Sequence, residues 1–347
     1  MGTGCRTVAG TVAAPVDGAC QASALALYQR AVTAEFLEQV RDKKGRRRNN
    51  RVYTDAVVMW LVVVQRLQGG TLEAAVLELL RGLPASFWPR PCKRLRPAPE
   101  GKRLSGNTGA YNKARQELPT AIVERSFDRV FEQLTGQAAG LLAEVGRRAF
   151  LFDGTAVRLP DAGALREAYP PASNQHGESH WPLIRMLVAH DLHTGLAMRP
   201  EWGPMYGGHA VGEQALLERA VDRLPEGSVV VADRNFGVFS VARAASRRGH
   251  PVMLRLTAAR AGMLAGEPLR DGIDLCIVWR PSREDRRRHP ELPADASVAG
   301  RVVVRQVQPS NGAAPFPLAV FTTLEIGPDE VVRFYATAGT SKPTCAA

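Results

Sequence analysis

Two aspartates stand in the same local pattern, each at the end of an apolar run and in front of a turn. Asp153 follows residues 148–152 and precedes Gly-Thr, and Asp233 follows residues 228–232 and precedes Arg-Asn-Phe-Gly. Continuous apolar runs are typical of buried strands. We therefore expect both aspartates at the carboxyl ends of central strands, which is the edge where open α/β sheets bind ligands.

Two carboxylates at one sheet edge repel each other unless a cation lies between them. Ligation by oxygen alone suits Mg²⁺ or Mn²⁺. A single aspartate before a turn has another interpretation, because its side chain often binds nearby backbone amides. The pair, in a basic chain, favours a metal site formed by Asp153 and Asp233.

The composition favours a polyanionic partner. The 347 residues contain 45 Lys and Arg against 34 Asp and Glu, a net charge of +11, which suits nucleic acid. Five scattered cysteines indicate neither a disulfide framework nor a zinc finger and fit a reducing cytoplasm. No apolar stretch is long enough to cross a bilayer, so we expect no membrane partner and a cytoplasmic, nucleoid-associated protein.

The first part of the chain predicts an all-α domain. Helical spacing runs over 23–40, Thr54 is a candidate N-cap for a helix to Leu67, and Thr71 for a helix over 72–81. We assign a flexible N-terminus at 1–22, a helical DNA-binding domain at 23–83, a Pro-rich basic linker at 84–108 and a helical connector at 109–146.

Basic residues are concentrated between these helices. Residues 41–51 contain seven basic side chains and one acid, which is typical either of a solvated linker or of a segment that follows phosphates. The candidate DNA contacts there are Lys43, Lys44, Arg46, Arg47, Arg48 and Arg51. Lys113 and Arg115 could also contact DNA, or lie on a solvated helix face.

The second part predicts a mixed sheet flanked by helices over 147–257: three antiparallel strands, a helix, a strand, a helix and a strand. Residues 161–179 read as a loop. The block 258–325 alternates in β fashion and looks like an insertion that interrupts the core sheet. A helix-like segment follows at 328–335, within a last segment at 326–347.

Two histidine pairs raise the alternative of a zinc site: His176 with His180, and His190 with His193. Neither pair is accompanied by cysteine or by a His-Glu-x-x-His helix, so zinc is disfavoured.

These residues together resemble the DDE transposases of bacterial insertion sequences, in the insertion element four branch. The resemblance covers most of residues 35–338. It lies in the basic stretch 43–51, in Val57 to Leu61, in Thr71-Leu72-Glu73, in Asp153-Gly154-Thr155, and in the run from Ala232 to Gly237.

The resemblance implies a ribonuclease H-like core with a β-rich insertion and two-metal phosphoryl transfer. Asp153 and Asp233 would be the first two ligands of Mg²⁺ or Mn²⁺. Arg255 would contact phosphate, or merely mark a strand exit. Trp279 would stack on an extruded base, although core packing is the favoured interpretation. The expected partners are double-stranded DNA, as transposon ends and target, and a second copy of the chain when the ends are bound.

The family signature also places Tyr, two residues, Arg, three residues and Glu on one helix, so that Arg and Glu share a face. Tyr335 fits, but positions 338 and 342 are Ala and Lys. Residues 338–345 can be encoded by a DNA sequence that is read in a different frame when one C is added in front of it. In that frame it encodes Arg-Trp-Asn-Ile-Glu-Thr-Asp-Leu. We therefore expect a truncated or shifted frame that lacks the third carboxylate, and an inactive chain.

Three functions are compatible with these features. The first is a transposase that cuts and joins DNA. The second is a non-catalytic remnant that binds DNA ends or inhibits the intact transposase. A metal-dependent nuclease is the third, and it is disfavoured by the long insertion and the helical domain.

Overall fold

A computed structural model describes residues 26–40, 52–67, 69–81, 106–137, 147–175, 177–308 and 314–340. The chain divides into two compact units, one made of residues 1–136 with 344–347 and the other of residues 137–343. A separate hydrophobic core lies within each unit. The two units therefore fold around different sets of apolar side chains.

The described part of the first unit is helical. Its helices are α1 (Ala34–Val40), α2 (Asp55–Leu67), α3 (Leu72–Arg81), α4 (Gly109–Gln116) and α5 (Thr120–Gln137). The predicted caps are present, because the Thr54 and Thr71 hydroxyls accept hydrogen bonds from the amides of Val57 (3.4 Å) and Ala74 (3.2 Å). These bonds satisfy amides that have no partner in the first helical turn.

The second unit is a mixed α/β fold. Its strands are β1 (Ala149–Arg158), β2 (Ser173–Asn174), β3 (Gly177–Glu178), β4 (Leu183–Asp191), β5 (Glu201–Pro204), β6 (Val229–Ala232), β7 (Val252–Arg255), β8 (Asp274–Trp279), β9 (Val298–Val307) and β10 (Phe316–Thr322). Its helices are α6 (Gly163–Ala168), α7 (Glu213–Val221), α8 (Phe239–Arg247), α9 (Ala258–Ala265), α10 (Arg283–Arg288) and α11 (Pro328–Thr340).

Eight of the strands form one sheet in the order β5-β4-β1-β6-β7-β10-β9-β8. The three central strands β1, β6 and β7 are parallel, and the strands on both sides of them pair antiparallel. Strand β6 is buried along its whole length, as its unbroken apolar run predicts. The core between α11 and the sheet includes Leu151, Val231 and Val331.

Two expectations for the second unit are wrong. Residues 161–179 contain α6 and the β2–β3 hairpin rather than only a loop, and Arg166 joins them by ion pairs of 2.9 Å to Asp161 and 2.9 Å to Glu178. The block 258–325 does not interrupt the core sheet, since β10 pairs directly with β7 and extends the sheet through β9 to β8.

Two short helices within that block, α9 and α10, also lie outside the expected β pattern. The Thr257 hydroxyl caps α9 by accepting from the Arg260 amide at 3.3 Å. Ser282 and Asp285 cap α10 reciprocally, in the arrangement known as a capping box. Within the described ranges, no helix is both long enough and apolar enough to span a bilayer.

His250 gives the second unit a pH-dependent stability. The side chain is 5% exposed, and burial lowers its pKa because the charged imidazolium is desolvated. The unfolded chain therefore binds more protons as the pH falls below the ordinary histidine value, so this contribution to stability is present above about pH 6.5 and is lost below it.

We expect the His250→Asn variant to lose less unfolding free energy than the wild type between about pH 7.5 and about pH 5.5. Denaturant unfolding at both pH values measures the difference. The matched control is His209→Asn, which replaces an exposed histidine. An identical pH dependence in the His250→Asn variant would contradict the assignment.

Candidate active site

The register between β1 and β6 brings Asp153 and Asp233 to adjacent positions. Phe152 is paired with Ala232 in the parallel ladder; Asp153 is the next residue of β1, and Asp233 is the first residue after β6. Neighbouring strands lie about 4.8 Å apart. Strand β6 ends at this point, so Asp233 follows the carboxyl end of a strand as expected. The same expectation is wrong for Asp153, because β1 continues against β4 to Arg158 and only its pairing with β6 ends there.

The third parallel strand, β7, carries a basic residue, Arg255, at the same edge of the sheet. Leu151, Val231 and Met253 are paired with one another across β1, β6 and β7, and all three are buried in the core that α11 covers. They lie two positions before Asp153, Asp233 and Arg255 in the chain. Side chains two residues apart on a strand share a face. Asp153, Asp233 and Arg255 therefore form a row on the α11 face of the sheet.

Tyr335 of α11 lies against this row. Its hydroxyl donates a 3.4 Å hydrogen bond to the Ala232 carbonyl, next to Asp233. Burial raises the pKa of Tyr335, Arg255 lowers it and Asp233 raises it by a smaller amount, which together bring it to about 12. The phenol is therefore protonated at neutral pH and acts there as a hydrogen-bond donor.

The turn after β6 fixes the Asp233 side chain. The Asn235 amide donates to Asp233 Oδ1 at 2.9 Å, and the Phe236 amide donates to the Asp233 carbonyl at 3.1 Å. Phe236 is buried and anchors the turn. Asp233 thus binds a nearby backbone amide, as an aspartate with a structural role in a turn does. It also follows the strand next to the one that carries Asp153.

Gly237 allows this turn to pack against β7. A Cβ atom on Gly237 would collide with the Arg255 carbonyl, and Arg260 Nη1 donates to the Gly237 carbonyl at 2.7 Å. Only glycine lets the backbone come this close. The close approach holds the Asp233 turn beside the strand that carries Arg255.

His190 is the titratable neighbour of Asp153 on β4. It pairs with Leu151, two residues before Asp153. Burial lowers the pKa of His190, and the charge of Asp153 raises it. Its Nδ1 is buried and, within the described ranges, has no hydrogen-bond partner.

The histidine pairs do not form a zinc site among the described residues. His193 lies 3.7 Å from Asp191, and the fully buried Asp191 accepts from Arg148 Nε at 2.7 Å. His176 lies outside the described residues. Across the ranges that the structure describes, no group of three or more His, Cys, Asp and Glu side chains is placed to hold a metal.

The remaining candidates fall in three different settings. Trp279 is 2% exposed and packs edge-on against Phe239 and Phe321, so it belongs to the core and presents no face to a base. Lys113 and Arg115 are exposed on α4. The basic side chains that lie outside the described residues are Lys43, Lys44, Arg46, Arg47, Arg48 and Arg51.

Sequence reasoning missed one acidic residue beside the two aspartates, Glu213, the first residue of α7. Its carboxylate accepts a hydrogen bond from Asn235 Nδ2. An acid in the first turn of a predicted helix is a common feature, so the sequence offers no signal that separates Glu213 from other helix starts.

Comparison with models of known protein families gave no match, and no curated protein matches the chain. The resemblance to transposases therefore has no support from these comparisons, and the function is argued from the geometry.

We expect Gly237→Ala to destabilise the second unit by about 1–3 kcal/mol, the usual cost of overpacking, because the new methyl group meets the β7 backbone. The free energy of unfolding from denaturant curves measures the cost. Gly208→Ala is the matched control, since a Cβ there has no neighbour within 4 Å. Equal stability of the two variants would contradict the close approach.

Proposed function

We propose that this chain is a transposase-type protein that binds DNA ends, with a ribonuclease H-like core in which Asp153 and Asp233 hold Mg²⁺ or Mn²⁺. The observation that carries the proposal is the pairing of Phe152 with Ala232. This register supports the proposal because Asp153 and Asp233 are the residues that follow the pair, and hard divalent cations prefer carboxylate oxygen ligands.

The strand arrangement supports the proposed core. Three antiparallel strands, β5, β4 and β1, are followed in the sheet by the parallel strands β6 and β7. Helices α7 and α8 come before β6 and β7 in the chain. This is the element order predicted from the sequence. The acidic pair lies at β1 and β6.

Each residue of the row has a role in the proposed chemistry. A bound divalent cation would polarise phosphate oxygens and water. The two carboxylates hold and orient the cation, and Arg255 attracts the DNA phosphate because a guanidinium matches phosphate geometry. Tyr335 donates to the Ala232 carbonyl and so holds α11 against the end of β6.

We also propose that the chain lacks a third carboxylate and is catalytically weak. Tyr335 contacts the end of β6, and the signature of the family that the sequence resembles has an arginine and a glutamate three and seven positions after its tyrosine. Those positions are Ala338 and Lys342, neither of them acidic. Position 342 lies outside the described residues. With two ligands alone, a second metal ion would be held poorly, so DNA binding without strand transfer is the expected activity.

The first experiment is a strand-transfer assay with Mg²⁺, using DNA from both flanks of the protein's own gene. We expect binding without joining by the wild type, and Mg²⁺-dependent cleavage or joining by the double variant Ala338→Arg, Lys342→Glu. Adding Asp153→Asn to the double variant should abolish the reaction, because a carboxylate ligand becomes an amide.

Each outcome of this assay selects one function. Joining by the wild type would show that the chain is an active transposase and contradict the missing ligand. Hydrolysis without joining by the wild type indicates the metal-dependent nuclease. The absence of any DNA binding would reject the proposal.

The second experiment measures the salt dependence of DNA binding. Replacing Arg46, Arg47 and Arg48 by Gln should reduce the slope of log affinity against log salt by about 3, because each lost phosphate contact removes about 0.9. A matched control replaces three exposed arginines of the second unit, Arg219, Arg247 and Arg270, and should keep the slope. An unchanged slope in the first variant would show that residues 41–51 form only a solvated linker.

A further inference from the structure

We propose that Glu213 is a positioning residue for the Asp233 carboxylate, an inference that rests on the proposed metal site. Asn235 connects the two acids. Its side-chain Nδ2 donates to Glu213 Oε2, and its backbone amide donates to Asp233 Oδ1 at 2.9 Å. The orientation of Asp233 therefore depends on a residue whose own side chain is held by Glu213.

The first turn of α7 holds Asn235 at a second point. Gln214 Nε2 donates to the Asn235 carbonyl at 2.9 Å. The side chain and the carbonyl of Asn235 are thus both bound by consecutive residues of one helix. A turn residue held in this way cannot rotate without breaking hydrogen bonds.

Glu213 also reaches the strand that carries the other aspartate. A Cβ atom on Gly154 would lie 2.7 Å from Glu213 Cδ, so the carboxyl group occupies the space that a side chain on Gly154 would need. Arg185 of β4 lies 4.0 Å from Glu213 Oε1 and donates to the Val211 carbonyl at 3.3 Å. One carboxylate therefore lies against β1 at Gly154 and binds the turn that follows β6.

The position of Glu213 excludes direct contact with the proposed cation. Consecutive strand residues point to opposite faces, so the space above Gly154 lies on the face opposite to Asp153. Glu213 acts from behind the sheet, as residues do that orient metal ligands without touching the metal. Its loss should weaken cation binding without removing a ligand.

The test measures the Mn²⁺ affinity of the 347-residue protein by electron paramagnetic resonance, together with the free energy of unfolding of each variant. Asp233→Asn should abolish binding. Glu213→Ala should raise the dissociation constant about tenfold, the lower end for loss of a residue that supports a metal ligand. Glu213→Gln keeps an acceptor for Asn235 and should recover most of the affinity. Glu218→Ala removes the same charge from the same helix and serves as the matched control.

A double-mutant comparison separates positioning from general stability. The single variant Asn235→Ala should bind Mn²⁺ as weakly as Glu213→Ala, and so should the double variant with both substitutions. The reason is that the effects of two substitutions in one chain of contacts are not additive. A merely structural role would lower the unfolding free energy and leave the affinity of the folded protein unchanged. Should Glu213→Ala fail to fold, Asn235→Ala decides in its place.

The outcomes distinguish this inference from the proposed function. Failure of the wild type to bind Mn²⁺, or binding unaffected by Asp233→Asn, overturns the metal site and the positioning role with it. Loss of binding in Asp233→Asn with wild-type affinity in both Glu213→Ala and Asn235→Ala overturns the positioning role alone.

Discussion

The parallel pairing of β1 with β6 is the constraint on which the site depends. Backbone hydrogen bonds set the register that pairs Phe152 with Ala232, and that register keeps Asp153 and Asp233 together in spite of the repulsion between like charges. A shift by one residue would turn one carboxylate to the opposite face. The buried apolar side chains of both strands resist that shift, so the hydrophobic core holds the two charges together.

Helix α11 is positioned by the core rather than by the acidic pair. Val331 is fully buried against the sheet, and Phe334 packs beside it, while Arg305 of β9 forms a 3.0 Å ion pair with Asp329 in the first turn. The helix therefore reaches the end of β6 whether or not an acid follows Tyr335. On the proposed function, folding of the site and completion of its ligand set are separate properties, so a chain without a third carboxylate would retain the rest of the architecture.

Local signals predicted the local features, and long-range pairing accounts for most of the errors. The threonine caps of α2 and α3 and the strand-Asp-turn pattern could be read from adjacent residues. The pairing of β10 with β7 joins residues far apart in the chain, and the alternation of the sequence cannot show which strand lies beside another. Core packing, the favoured interpretation of Trp279, is confirmed, but the contacts with Phe239 and Phe321 that bury the ring are long-range and could not be read from adjacent residues. Glu213 was missed for the same reason, since its contact with Asn235 depends on how α7 packs.

On the proposed function, Arg255 would link the acidic pair to a phosphate ligand. Its guanidinium lies 5.3 Å from the centre of the Phe316 ring, a cation–π arrangement, and within the described part of the chain it makes no ion pair with an acid. Arg148 and Arg223, by contrast, pair with acids at 2.7 Å and 2.6 Å. An arginine held by a ring rather than by a carboxylate keeps its donors for an incoming anion. On the proposed function, a DNA phosphate at this edge would meet the cation held by Asp153 and Asp233 on one side and Arg255 on the other.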